Sequence, residues 1–135
     1  MASNMSLYLG SAICKWLAGT AMPAAPTNCF VALYNGSPKA SGTEVTATIR
    51  AAGRVAITFD SVGTNDNNVT NSAAVDFGAS AGAVGNLDFV GIFDAASSGN
   101  LLFSAQLPGG PFAVTAGAPV SFNAGDLTFT IGSAA

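Results

Sequence analysis

Hydrophobic residues follow two different periods along the chain, and the change between them divides it. From Ser6 to about 18, in SLYLGSAICKWLAGT, apolar positions fall at Leu7, Leu9, Ile13, Trp16 and Leu17. The 9, 13, 16, 17 spacing is close to one face of a 3.6-residue period and predicts a helix over about 6–18. Ser6 stands where a side-chain oxygen caps a helix start, and Gly19 where a helix often ends. The following MPAAP blocks helix and reads as an extended connector.

After the connector the period is two. NCFVALYNG reads as a strand closed by an Asn35–Gly36 turn. GTEVTATIR reads as a weaker, Thr-rich strand. RVAITFD sets Val55, Ile57 and Phe59 on one face, and SAAVDFG does the same with Ala73, Val75 and Phe77. LDFVGIFD is apolar on both faces, the mark of a central strand covered on two sides. NLLFSAQL, APVSFNAG and DLTFTI complete the set, the last with Leu127, Phe129 and Ile131 in phase. SVGTNDNNVTN, GASAGAVGN and PGGPFAV read as loop or turn. Eight short strands with turn signals roughly every 8–12 residues predict an all-β fold. The expected architecture is an antiparallel β-sandwich, jelly-roll or Greek-key like, with one N-terminal α-helix. Residues 1–135 are expected to form one domain: a helical segment 1–18, a Pro-rich connector 19–27 and the sandwich 28–135.

Composition changes what this sandwich is for. Charged residues make up 8% of the chain, against roughly 25% in ordinary globular domains. Charge is depleted in the same way at the centres of protein interfaces. The composition therefore points to a chain that works against other protein as an oligomer. A secreted Thr/Ser/Gly-rich β-domain, soluble alone, is the alternative. Sheet edges that ordinary proteins guard with Lys are here expected to be covered by neighbours, as are both chain ends. Lys15, Lys39, Arg50 and Arg54 are the only basic residues, too few and too scattered to neutralise several phosphates, so nucleic acid is excluded as a partner. No stretch offers about 20 continuous apolar residues, so no membrane partner is expected. Lys15 interrupts the one segment that could have served as a secretion signal. Cys14 and Cys29 could bridge or remain as two buried thiols.

Candidate chemistry is sparse. The chain has no histidine, which removes the usual Ser-His-Asp, Cys-His and His-metal arrangements. Asp88 and Asp94 lie six residues apart on one predicted strand, about 20 Å at roughly 3.3 Å per residue, too far for a glycosidase pair. TNDNN is rich in oxygen but lacks the calcium-loop pattern. No catalytic, metal-binding or cofactor-binding residue is expected. Asp94, Asn35 and Gly36 are expected to act as turn residues, with Asp94 accepting from the amides of AASSG. Trp16 and Tyr34 are read as packing residues rather than sugar-stacking ones.

The order of the segments carries a resemblance. Helix, PAAPTNCFVALYNGSP, SGTEV, RVAITFDSV, VTNSAAVDFGAS, FVGIFDAASSGNLLFSAQL and VSFNAGDLTFTI follow one another over nearly the whole chain. In that order they resemble a family of small tailed-phage virion proteins, usually labelled tail fibre or structural proteins. The most specific parts are Gly42–Val45 and Val90–Phe103. Two departures stand out: ATIRAAGRV where the family has an aromatic-arginine element, and VGNLDF where it has Trp-Gly. The resemblance implies a virion component with no catalytic residue to carry over, made in the bacterial host cytoplasm.

A fibre proper needs length or repeats, which this chain lacks. The expected role is therefore a capsid cement (decoration) protein on the capsid exterior. It would bind between copies of the major capsid protein and associate with itself, a trimer being the expected oligomer. The alternatives are a small tail or tail-fibre-associated protein, with other tail proteins as partners, and a secreted carbohydrate-binding sandwich. Leu7, Leu9, Trp16, Pro23 and Pro26 are the expected interface residues.

Overall fold

β1 (Cys29–Asn35) organises the molecule because it pairs on both sides. In the computed structural model, which describes residues 4–131, β1 runs antiparallel to β7 (Phe89–Phe93), and β7 in turn to β8 (Leu101–Gln106). The other edge of β1 is shared. β3 (Val55–Ile57) pairs with Cys29–Val31, and the two-residue β2 (Thr43–Glu44) pairs with Tyr34 and Asn35. Three antiparallel pairs complete the set: β10 (Pro119–Phe122) with β5 (Val75–Ala79), β11 (Thr128–Thr130) with β4 (Asn68–Thr70), and β6 (Val84–Leu87) with β9 (Phe112–Val114). One core is shared among them, including Val31 and Leu33 of β1, Val90 and Ile92 of β7, Val75 and Phe77 of β5, and Phe129 of β11. The fold is all-β, antiparallel and sandwich-like, with α1 (Leu7–Leu17) at its N-terminal end.

Three strands lie where loop was expected. β4 falls in SVGTNDNNVTN, β6 in GASAGAVGN and β9 in PGGPFAV. Each is three or four residues long, and each takes its strand conformation from its antiparallel partner. The opposite correction holds for GTEVTATIR. It is a strand only at Thr43–Glu44 and then makes one helical turn, α2 (Thr46–Ile49). The reason is a side-chain substitution for backbone pairing. Between the stretches of β1 taken by β2 and β3, the Leu33 N–H donates to Thr46 Oγ1 at 2.9 Å, and the Leu33 C=O accepts from the Val45 N–H. With both groups satisfied by the turn, no strand is needed there, and the turn drives Ile49 into the core.

A second hub is Asn71, which is 1% exposed. Its amide nitrogen donates to the carbonyls of Ala73 and Asn123, and its Oδ1 accepts from the N–H groups of Gly125 and Leu127. One side chain thus closes the β10–β11 turn onto the end of β4. The two cysteines are free: Cys29 is half-buried and Cys14 exposed on α1, so the expectation of two buried thiols fails at Cys14. Burial, and secondarily the Asp94 charge, push the Cys29 thiol up. The chain ends expected to be held by neighbours, residues 1–3 and 132–135, lie outside the described residues, as does the start of the expected helical segment.

Candidate assembly surface

The residues most marked in the sequence, GTEV and VGIFDAASSG, meet at one side chain. The side chain of Arg54, just before β3, is 7% exposed. Its Nε and Nη2 donate to the two carboxylate oxygens of Glu44 at 3.0 and 2.8 Å. Its Nη1 donates to the carbonyls of Ala95 and Ser98 at 3.0 and 2.8 Å. The guanidinium lies 3.8 Å from the centre of the Phe93 ring, which also stacks on Tyr34. Arg54 therefore covers the outer face of β7, where Phe93 is buried. Burial works to raise the Glu44 carboxyl, but hydrogen bonds from Arg54 and Thr46, with the Arg54 charge, outweigh it and hold the group below its usual value.

Asp94 lies in the β7–β8 turn. Its Oδ1 accepts from the Asn100 N–H at 2.7 Å and its Oδ2 from the Asn100 side-chain amide at 2.9 Å. The donors are thus those of Asn100, not the amides of AASSG; the carbonyls of Ala95 and Ser98 in that stretch face Arg54 instead. The backbone and side-chain bonds from Asn100 hold the Asp94 carboxyl below its usual value. Gly99, at φ +76°, is required there because a Cβ would stand 2.6 Å from Asp94 Oδ1.

Asn35 ends β1, and its Oδ1 accepts from Asn86. Gly36, at φ +83°, donates its N–H to Asp88 Oδ1. The turn they begin is not a tight hairpin. It runs through a 3-10 helix at Pro38–Ala40 before β2 starts. All these polar groups answer one another, and among the described residues no cluster of three or more His, Cys, Asp or Glu could hold a metal ion.

The apolar residues of α1 do the reverse. Ser6 caps the helix by accepting from the Leu9 N–H, and the Ser6 N–H donates to the Leu102 carbonyl of β8. The first two turns therefore sit on the sheet, with Ala12 buried and Leu9 and Ile13 half-buried. Beyond Ile13 the helix overhangs. There Leu17 is 75% and Trp16 57% exposed, so the expected packing of Trp16 is not found; Leu7, at the opposite end of the helix, is 86% exposed. The connector after it is exposed throughout, Met22, Pro23 and Pro26 included. Pro23 and Pro26 line a groove of about 430 Å³ together with Leu9, Phe59 and Phe103. Of the expected interface residues, Leu7, Trp16, Pro23 and Pro26 thus stand at the surface, while Leu9 is half-buried against the sheet. No helix among the described residues is long and apolar enough to cross a membrane.

The Arg54–Glu44 pair is thus closed within the fold, and uncharged apolar side chains of α1 are turned outward. The chain matches the Gp80 family, described as podophage GP4 fiber I protein gp80, over residues 4–130, which takes in the helix, the connector and all eleven strands. It belongs to that family and is a structural component of a phage virion. No curated protein matches it. The fibre description fits the tail-fibre alternative better than the capsid cement role expected from size and composition. Neither periodicity nor a local motif marks Glu44, Arg54 or Asn71 as working residues. A signal was present for the first two: Glu44 is the single Glu of the chain and Arg54 one of four cations.

Proposed function

We propose that the chain is a non-enzymatic structural part of a podophage tail-fibre assembly. It docks on another virion protein through the overhanging face of α1 and the connector. The observation that carries this reading is the exposure of Trp16 and Leu17 at the end of an ordered helix in a fibre-family chain that is 8% charged. Burying each such side chain on docking contributes roughly 1.5–3 kcal/mol, enough in combination to hold a small module in place.

Deleting residues 1–18 would be an ambiguous test, because Asn4 and Ser6 bond to β8 and β11 and the deletion would open the sandwich. The double substitution Trp16→Ser with Leu17→Ser leaves those anchors intact. It should reduce incorporation into particles at least tenfold while the urea midpoint of the isolated protein stays within error. Wild-type incorporation of the double variant would overturn the proposal. Copy number, measured by quantitative mass spectrometry of purified virions, separates the sites: a few to dozens of copies for the tail, hundreds for a capsid cement.

A further inference from the structure

Among the described residues, the seam between β8 and β11 is bridged at one end and unbridged at the other. Along β8 the register turns the main-chain groups of alternate residues away from β7. Leu107 donates its N–H to Asp88 on the β7 side, whereas the Ser104 N–H and the Leu102 C=O face outward to Asn4 and Ser6. Gln106 has the same phase, and its outward N–H and C=O meet no partner among the described residues. β11 mirrors this. The Leu127 C=O accepts from Asn71 and the Ile131 N–H donates to Asn67, both on the β4 side, while the Thr130 N–H and C=O face Asn4. Thr128 shares the outward phase, and its main-chain groups are likewise open among the described residues. Asn4 thus acts as a one-residue strand between β8 and β11, and no described residue fills the next rung. Gln106 and Thr128 border a groove of about 700 Å³ whose lining includes the core residues Val90, Leu107, Leu127 and Phe129.

We propose that this seam accepts an extended strand from another virion protein. The strand would pair with Gln106 and Thr128 through its main chain and set alternate apolar side chains on the core floor. The inference rests on the reading of the chain as a docked virion part and supplies a second docking site on a different surface. A second copy of this chain offers no suitable donor among the described residues. Its exposed connector carries Pro23 and Pro26 three residues apart, so an N–H is missing on each edge of the strand it would form. The one charged residue on the groove is Asp126, on a chain of net charge −3. The donor strand is therefore free of acids, with a Lys or Arg at its Asp126 end.

Two measurements on assembled particles test this. Gln106→Pro removes an N–H that the β7 ladder does not use, a place where an edge strand tolerates proline. It should lower incorporation at least tenfold with an unchanged urea midpoint. A photo-crosslinking amino acid in place of Gln106 should give an adduct with a different virion protein. Wild-type incorporation of Gln106→Pro overturns the proposal, as does an adduct confined to a second copy or to this chain's own residues 1–3. If Gln106→Pro lowers the urea midpoint, the adduct alone decides. Loss on Trp16→Ser with Leu17→Ser, beside normal incorporation of Gln106→Pro, would sink the strand seam and leave the helix face standing.

Discussion

Replacing Arg54 with Ala removes two hydrogen bonds to Glu44, two to the Ala95 and Ser98 carbonyls, and the cover over the Phe93 ring. The two carbonyl bonds contribute about 1 kcal/mol each. The Glu44 pair adds about 1 kcal/mol, discounted because the Glu44 side chain is 31% exposed. The ring contact adds roughly 0.5–1 kcal/mol. The expected cost of Arg54→Ala is therefore about 3.5–4 kcal/mol in urea unfolding. Arg54→Lys keeps a cation near Glu44 but loses the planar fork that reaches both carbonyls, and should cost about 2 kcal/mol.

In a double-mutant cycle, Glu44→Ala added to Arg54→Ala should cost far less than it does alone, because its partner is already gone. The damage should also be local. The Asn100 amide, held by Asp94 in the hairpin that Arg54 ties down, should lose more exchange protection than the amides of β5. An Arg54→Ala variant within 0.5 kcal/mol of wild type would refute the reasoning and mean that solvent screens the whole cluster.

Three further outcomes follow from the same kind of accounting. Asn71→Ala strands the buried N–H of Leu127 and unties the turn before β11, and should cost about 3 kcal/mol by urea titration. Asn71→Asp keeps the acceptor but sets a carboxylate against the carbonyls of Ala73 and Asn123. It should be least stable near neutral pH and recover partly in acid, where a protonated carboxyl can donate to one of them. The wild-type protein should behave oppositely. Glu44 and Asp94 are both held below their usual values, so their contribution is complete above the ordinary carboxylate range of about 4 and is lost as pH falls below it. With no histidine in the chain, the urea midpoint should be nearly flat from about pH 5.5 to 7.5. A slope across that window would contradict the assignment.

Alternation of side chains by itself determined where the main sheet would form. Cys29–Asn35, Val55–Ile57, Phe89–Phe93 and Leu101–Gln106 are strands because one or both of their faces are apolar at period two, and a strand with such a face must bury it. The doubly apolar Leu87–Asp94 stretch read as central, and β7 lies between β1 and β8. The start of the helix was also legible, through Ser6.

What the sequence could not show depends on partners distant along the chain. β4, β6 and β9 are polar or Gly-rich segments that become strands only when β11, β9 and β6 lie beside them. Thr46 turns a predicted strand into a helical turn because its hydroxyl stands in for a backbone partner of Leu33, 13 residues away. Trp16 and Leu17 follow the same stripe as Leu9, yet the sheet runs out beneath them, and no periodicity encodes where a neighbouring surface ends. Arg54 joins Glu44, Ala95 and Ser98 across up to 44 residues. Local pattern sets which residues seek cover, whereas the tertiary structure alone decides which of them find it within the chain and which are left for the virion to supply.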